Sequence, residues 1–242
     1  MSKRVTKTST STALTNWEQE LAAHADQAAS MEANAGGGQF FGLRSGILTW
    51  QDAPLAGNQM GVVIVDSILE NVYYEGKYDP DEPQSPMCYA FGRDDATMRP
   101  HPEVVKAHNE QCGKSGLCAG CQHNEWGTSE VGRGKACRNS RRLAMLPAGN
   151  FNPSGKFELI EEPAHYESAI IGYMKLPVTS VKGYASFVKQ VAGALRRPPH
   201  GIATRVRVIT DPKTQFKVIF EPLLALPATL IPMVMKRHEE IK

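Results

Sequence analysis

Four of the chain's five cysteines, Cys112, Cys118, Cys121 and Cys137, fall in one stretch that is poor in apolar residues. Their order is C-x5-C-x2-C-x15-C, with a tight Cys118-Ala119-Gly120-Cys121 knuckle and the small, flexible run GRGKA before Cys137. Four thiolates at such spacing can close a tetrahedron around zinc. Lys114, Arg133 and Lys135 would offset the two net negative charges of a four-thiolate centre. Catalytic zinc keeps an open position for water, and four cysteines leave none, so the expected role is structural. His108 or His123 in place of Cys112 is the alternative ligand set, and isolated buried thiols or disulfides are the competing reading. Clustering in a stretch without its own apolar core weighs against chance burial. Cys88, in an apolar strand, reads as an ordinary buried thiol.

The second chemistry is an interleaving of aromatic and basic side chains. Single-stranded nucleic acid is gripped by a basic groove with rings on which bases stack. Tyr73, Tyr74 and Tyr78 surround Lys77; Tyr89 and Phe91 alternate onto one strand face ahead of Arg93; Trp126 lies in the cysteine loop with Arg133 and Lys135. Arg205 and Arg207 share a strand face, and Lys217 follows on the next strand. An aromatic in a strand is more often core than platform, and Arg205 and Arg207 also fit the solvated side of a half-buried strand. The combination carries the nucleic-acid reading. Enzyme chemistry is not expected. Asp79, Asp81 and Glu82 sit in a Pro-rich turn (DPDEPQSP), and His101 and His108 have no general-base constellation beside them.

Charge is segregated although the chain's net charge is only +2. Residues 66–95 hold eight acids against two bases, residues 175–217 nine bases against one acid, and residues 111–142 six bases against two acids. That pattern suits a polyanion partner, with internal ion pairing between regions as its rival. No run of about 18 apolar residues occurs, so no membrane span is expected. The basic opening MSKRVTKTSTST leads into no apolar stretch, so it does not read as a secretory signal, and a cytoplasmic location with reduced thiols follows as the expectation.

The elements that must position these groups are mostly strands. Residues 1–12 predict a basic arm, 15–33 a short helix capped by Thr15, and the GGG at 36–38 its end. From there to residue 242 a single domain is expected. Residues 46–50 and 61–74 read as a hairpin with a long second arm, followed by a strand at 87–92 and a loop over 94–142 held by the metal. Further strands are expected over 142–146, 157–160 and 169–175. Val181, Tyr184, Val188, Val191 and Leu195 recur at helical spacing, with Ser180 as cap and Pro198-Pro199 as stop. Two strands joined by an Asp211-Pro212-Lys213-Thr214 turn and a short terminal helix complete the chain. The expected fold class is a β-rich α+β domain, an OB-fold-like barrel with the zinc loop inserted at about 100–142 and a helix in the C-terminal half.

On these features the chain resembles phage-encoded single-stranded-DNA-binding proteins, in plan the zinc-containing helix-destabilising proteins of T4-like phages. Three segments carry the resemblance: the basic Ser2–Thr10 arm, the cysteine loop set into the strand-rich body, and YYEGKYDPDEPQSPMCYAFGRD with GRGKACRNSRRLA downstream. The resemblance implies an OB-fold, structural Zn2+, single-stranded DNA as ligand in replication or recombination, self-association through residues 1–12, and replication or recombination proteins as further partners. It departs from that family in offering four cysteines rather than three and a histidine, and in ending with MKRHEEIK instead of an acidic tail. The runner-up function is a zinc-bearing protein-interaction module or transcription regulator acting on a polymerase, favoured by the acidic 66–95 stretch.

Overall fold

The computed structural model describes Leu21, His24 and residues 39–76, 84–108 (side chains to 105), 116–130 and 133–242. The chain divides into two units, Met1–Gly38 and Gln39–Lys242. Leu21 and His24 are helical; the other residues of the helix expected over 15–33, and those of the basic arm, lie outside the described residues.

The second unit is a sheet-rich α+β fold built on one ten-stranded mixed sheet. Its strands are β1 (Phe40–Arg44), β2 (Ile47–Trp50), β3 (Ala53–Pro54), β4 (Gln59–Tyr73), β5 (Cys88–Gly92), β6 (Arg138–Phe151), β7 (Phe157–Leu159), β8 (Gly172–Leu176), β9 (Ile202–Asp211) and β10 (Gln215–Ala225). The order runs β10-β9-β4-β6-β8-β1-β2-β3, with β5 paired to the far half of β4 and β7 to the end of β6. All pairs are antiparallel except β1 with β8. Four helices occur among the described residues of this unit: α1 (Pro102–His108), α2 (Pro163–Ser168), α3 (Val178–Leu195) and α4 (Ile231–Glu240).

The run Val62–Val65 is apolar without alternation because both faces of β4 are covered there. Met60, Val62 and Ile64 join a core with β1, β2, β8, β9, β10 and α3. Val63 and Val65 join a second core on the opposite face, under α2 and α4. A bulge between Ile64 and Asp66 then shifts the register against β6, which re-aims the remaining half of the strand.

Several expectations are met in place. The α3 stripe of Val181, Tyr184, Val188 and Val191 packs on the first core, while Leu195 is exposed. The Asp211 carboxylate accepts from the Thr214 backbone and hydroxyl, closing the β9–β10 turn. Ser180 does not cap α3, which starts at Val178; its buried hydroxyl instead accepts the Val218 N–H at 2.9 Å. Nor does β2 pair with β4. Its hairpin partner is β1, joined through Ser45 and Gly46, both at positive φ (52° and 77°), the conformation of a two-residue primed turn.

The sheet is not closed into a barrel. Its last strand, β3, is two residues long and ends in Pro54, which has no N–H to extend a ladder. A side chain ties the curl instead: Asn58 donates to Gly46 O (2.8 Å) and Val208 O (3.2 Å) and accepts the Leu48 N–H (2.6 Å). No described helix is long and apolar enough to cross a membrane.

Candidate nucleic-acid interface and the cysteine loop

Beyond the bulge, Asp66, Ile68, Glu70 and Val72 point to one face of β4, and the ladders place their neighbours. Glu70 lies between Phe91 of β5 and Ser140 of β6, and Val72 lies between Tyr89 and Arg138. Ile68 faces Arg142, which faces Lys175 of β8. Asp66 faces Ala144, then Tyr173, then Phe40 of β1. One strand face therefore presents Phe40, Tyr173 and Phe91 interleaved with Lys175, Arg142 and Arg138. The Arg142 guanidinium lies 5.1 Å from the Phe91 ring centre, and that of Arg138 lies 5.8 Å from Tyr74. Phe40 and Phe91 are 53% and 40% exposed. Helix α4 packs on the same face over the section before the bulge. Its end, Glu240 and the following Ile241, lines with Asp66, Ile68, Arg142 and Tyr173 a cleft of about 340 Å³.

Two carboxylates organise the cations. Glu70, 2% exposed, accepts from Arg142 (2.9 Å) and Ser140 (3.0 Å) and lies 3.3 Å from Lys175. Asp66 takes both Arg93 guanidinium nitrogens at 2.6 Å. Burial pushes both carboxyls up, but Arg93 at Asp66, and Arg142, Lys175 and Ser140 at Glu70, outweigh it and hold both below their ordinary values. A carboxyl depressed in the folded state contributes stability that is complete above its unfolded pKa of about 4 and is lost as pH falls through the folded one. The urea midpoint is therefore expected to decline below about pH 4–4.5, and Glu70→Gln to flatten that decline in parallel titrations. Superimposable pH profiles would refute the assignment.

The sequence-predicted binding residues separate into groups. Tyr74, Tyr89, Phe91 and Arg93 belong to this face; Tyr89 also stacks on His101 and donates to Glu103 at 2.8 Å. Trp126, Arg133 and Lys135 sit on the cysteine loop. There Trp126 is 80% exposed, and Lys135 lies 5.9 Å from its ring centre while donating to Asn124 at 3.1 Å. Arg205 and Arg207 pair with Glu221 (3.5 and 3.0 Å), and Arg205 covers Phe151 at 4.6 Å. They lie opposite the start of β4, with the strand section covered by α2 and α4 between them and the Glu70 region. Lys217 pairs with Asp211 at 3.3 Å. Three of the nine bases of residues 175–217 are thus paired within β9 and β10. Lys77 lies outside the described residues. Sequence reasoning missed Phe40, Tyr173, Lys175, Arg138 and Arg142. The alternation Arg138-Ser140-Arg142 was the available signal, hidden because 94–142 reads as loop up to its last residue.

The cysteine loop packs on the opposite face of the β4–β5 pair, where Cys118 and Met98 cover Ala90 and Leu69. A short turn spans Cys118–Gly120 and a second spans Gln122–Asn124. The chain returns so that the Cys137 N–H donates to His123 O at 2.7 Å. Buried Asn124 donates to Cys118 O at 2.9 Å, and Thr128 joins Glu125 O to the Ala136 N–H. Cys118, Cys121, Cys137 and His123 thereby line one small cavity, and Cys88, Asn71 and Tyr73 line it from the sheet. Its volume of about 20 Å³ is the space of about one water-sized occupant. Tyr73 stacks on His123, with ring centres 4.0 Å apart. Sulfur and imidazole donors around so small a space suit zinc chemically. Among the described residues no three of them are already grouped so as to hold an ion. Cys112 and the His108 side chain lie outside the described residues. Cys88, expected to be an ordinary core thiol, is only partly buried and lines this cavity. Compared with protein-family models, curated proteins and solved structures, the chain matches none.

Proposed function

We propose that the open face formed by β1, β8, β6, β4 and β5 binds single-stranded DNA without strong sequence preference, in phage replication or recombination. The observation that supports this most is the interleaving of Phe40, Tyr173 and Phe91 with Lys175, Arg142 and Arg138 on one strand face that the described helices leave largely open. Bases stack on the rings while the cations meet phosphates. A duplex hides its base faces and can use only the cations. Presenting a strand face to oligonucleotides is how OB-like folds work, and the open, curled sheet is used here in the same sense. No catalytic step is assigned.

In this reading a structural Zn2+ holds the cysteine loop, contributing folding energy and no reaction chemistry. A cytoplasmic setting, host cytoplasm for a viral chain, keeps its thiols reduced. Self-association of bound copies falls to residues 1–12. The second reading, a protein-interaction module docking on a polymerase, is favoured by the Asp66–Arg93 and Glu70–Arg142 pairs, which neutralise part of the face.

Fluorescence anisotropy with oligo-dT at several salt concentrations separates the two. Three engaged cations predict a log–log slope of about −2, at roughly 0.7 per phosphate on single strands. Duplex of equal length is expected to bind at least about tenfold more weakly, one stacked base being worth about 1–3 kcal/mol. Equal affinity for both forms would sink the single-strand reading. Absent oligo-dT binding with a captured protein partner would establish the second.

A further inference from the structure

We infer that Cys88 is the fourth ligand of the proposed zinc ion, completing a Cys88, Cys118, Cys121, Cys137 site in place of Cys112. The inference rests on the reading of the cysteine loop as a metal clamp, and it assigns the clamp's other jaw to the sheet.

Cys88 opens β5 and pairs with Tyr73. Strand alternation sends Cys88 and Ala90 to the face that the loop covers, while Tyr89 and Phe91 go to the open face. Cys88 therefore lines the same small cavity as Cys118, Cys121 and Cys137. Structural zinc takes four ligands, and these four sulfurs fill the set. His123, stacked on Tyr73, then stands beside the centre as a neighbour.

An independent observation is Asn71. It is 3% exposed and lines the cavity. Its Oδ1 accepts from Asn139 at 2.7 Å, whereas its Nδ2 is buried with no hydrogen-bond partner among the described residues. A buried N–H without an acceptor is costly. A tetrathiolate zinc centre carries two net negative charges, and an amide N–H is the kind of outer partner that stabilises such sulfurs.

The assignment has a functional consequence. An ion held by Cys88 grips β5 from one face, while the strand's other face carries Phe91 into the proposed interface. Loss of the ion loosens the strand that presents that ring.

Zinc content and chelator competition on the full-length chain, wild type against Cys88→Ser and Cys112→Ser, test the assignment. Wild type and Cys112→Ser are expected to retain one equivalent with matching affinity. Cys88→Ser is expected to bind zinc more than about a hundredfold more weakly, beyond the ten- to hundredfold typical of losing an outer-shell partner. Alkylation mapping of the intact wild-type protein needs no variant to fold. Cys88, Cys118, Cys121 and Cys137 should become reactive together only after chelation, and Cys112 beforehand. Wild-type zinc affinity in Cys88→Ser, loss of zinc in Cys112→Ser, or labelling of Cys88 while zinc is bound would overturn the ligand assignment alone. Wild-type protein that binds no zinc would overturn the clamp with it.

Discussion

Phe40→Ala combined with Phe91→Ala is expected to weaken oligo-dT binding by at least about thirtyfold. Each stacked base is worth about 1–3 kcal/mol, and about 1.4 kcal/mol is tenfold in affinity. The two rings stand on β1 and β5, at opposite ends of the five-strand face. Four inter-strand spacings of about 4.8 Å separate them by roughly 19 Å, too far to share one base, so their effects should add. Both rings are substantially exposed, and the melting temperature should move little. The salt slope should stay near its wild-type value, because no cation is removed. Unchanged affinity would place the DNA elsewhere; a large drop in melting temperature would mean that the rings serve packing.

The second large effect concerns Arg142, which supports the fold and also serves the proposed interface. Arg142→Ala leaves the buried Glu70 carboxylate with Lys175 and Ser140 alone. Stripping a buried charge of its partner costs about 3–5 kcal/mol. With Lys175 still present, a loss of about 2–3 kcal/mol is expected in urea unfolding. Adding Glu70→Gln removes the stranded charge and should recover most of that loss. Binding should respond differently. The double variant still lacks one phosphate contact, so its salt slope should be shallower by about 0.7 and its affinity for oligo-dT below that of Glu70→Gln alone. Recovery of stability and binding together would confine Arg142 to a structural role.

The features legible in the sequence were those written within a few residues. The α3 stripe shows in the three-and-four spacing of Val181, Tyr184, Val188 and Val191, and the β9–β10 hairpin shows in the Asp211–Thr214 turn between two alternating runs. The Cys118–Cys121 knuckle and the β-rich character belong here too. Pairing over long separations was not legible. Nothing near Ile47 says that its strand turns back on Phe40–Arg44, and nothing near Phe40 says that it runs parallel to Tyr173. The cysteine cluster is partly of each kind, since three members of the cavity are neighbours in sequence while Cys88 reaches it only through the β4–β5 ladder.

The amino-acid order alone showed most of the strand segments, though neither β1 nor the first residues of β6, where α3 lies, and that thiols and mixed aromatic–basic groups are the chemistry available. Tertiary structure decided which of those groups meet. Glu70 stands beside Ser140, and Arg142 beside Lys175, because backbone ladders join strands distant in sequence. A bulge at residues 64–66 sets which face each later side chain takes. A shift of one residue there would exchange the two faces, and no local pattern encodes that choice.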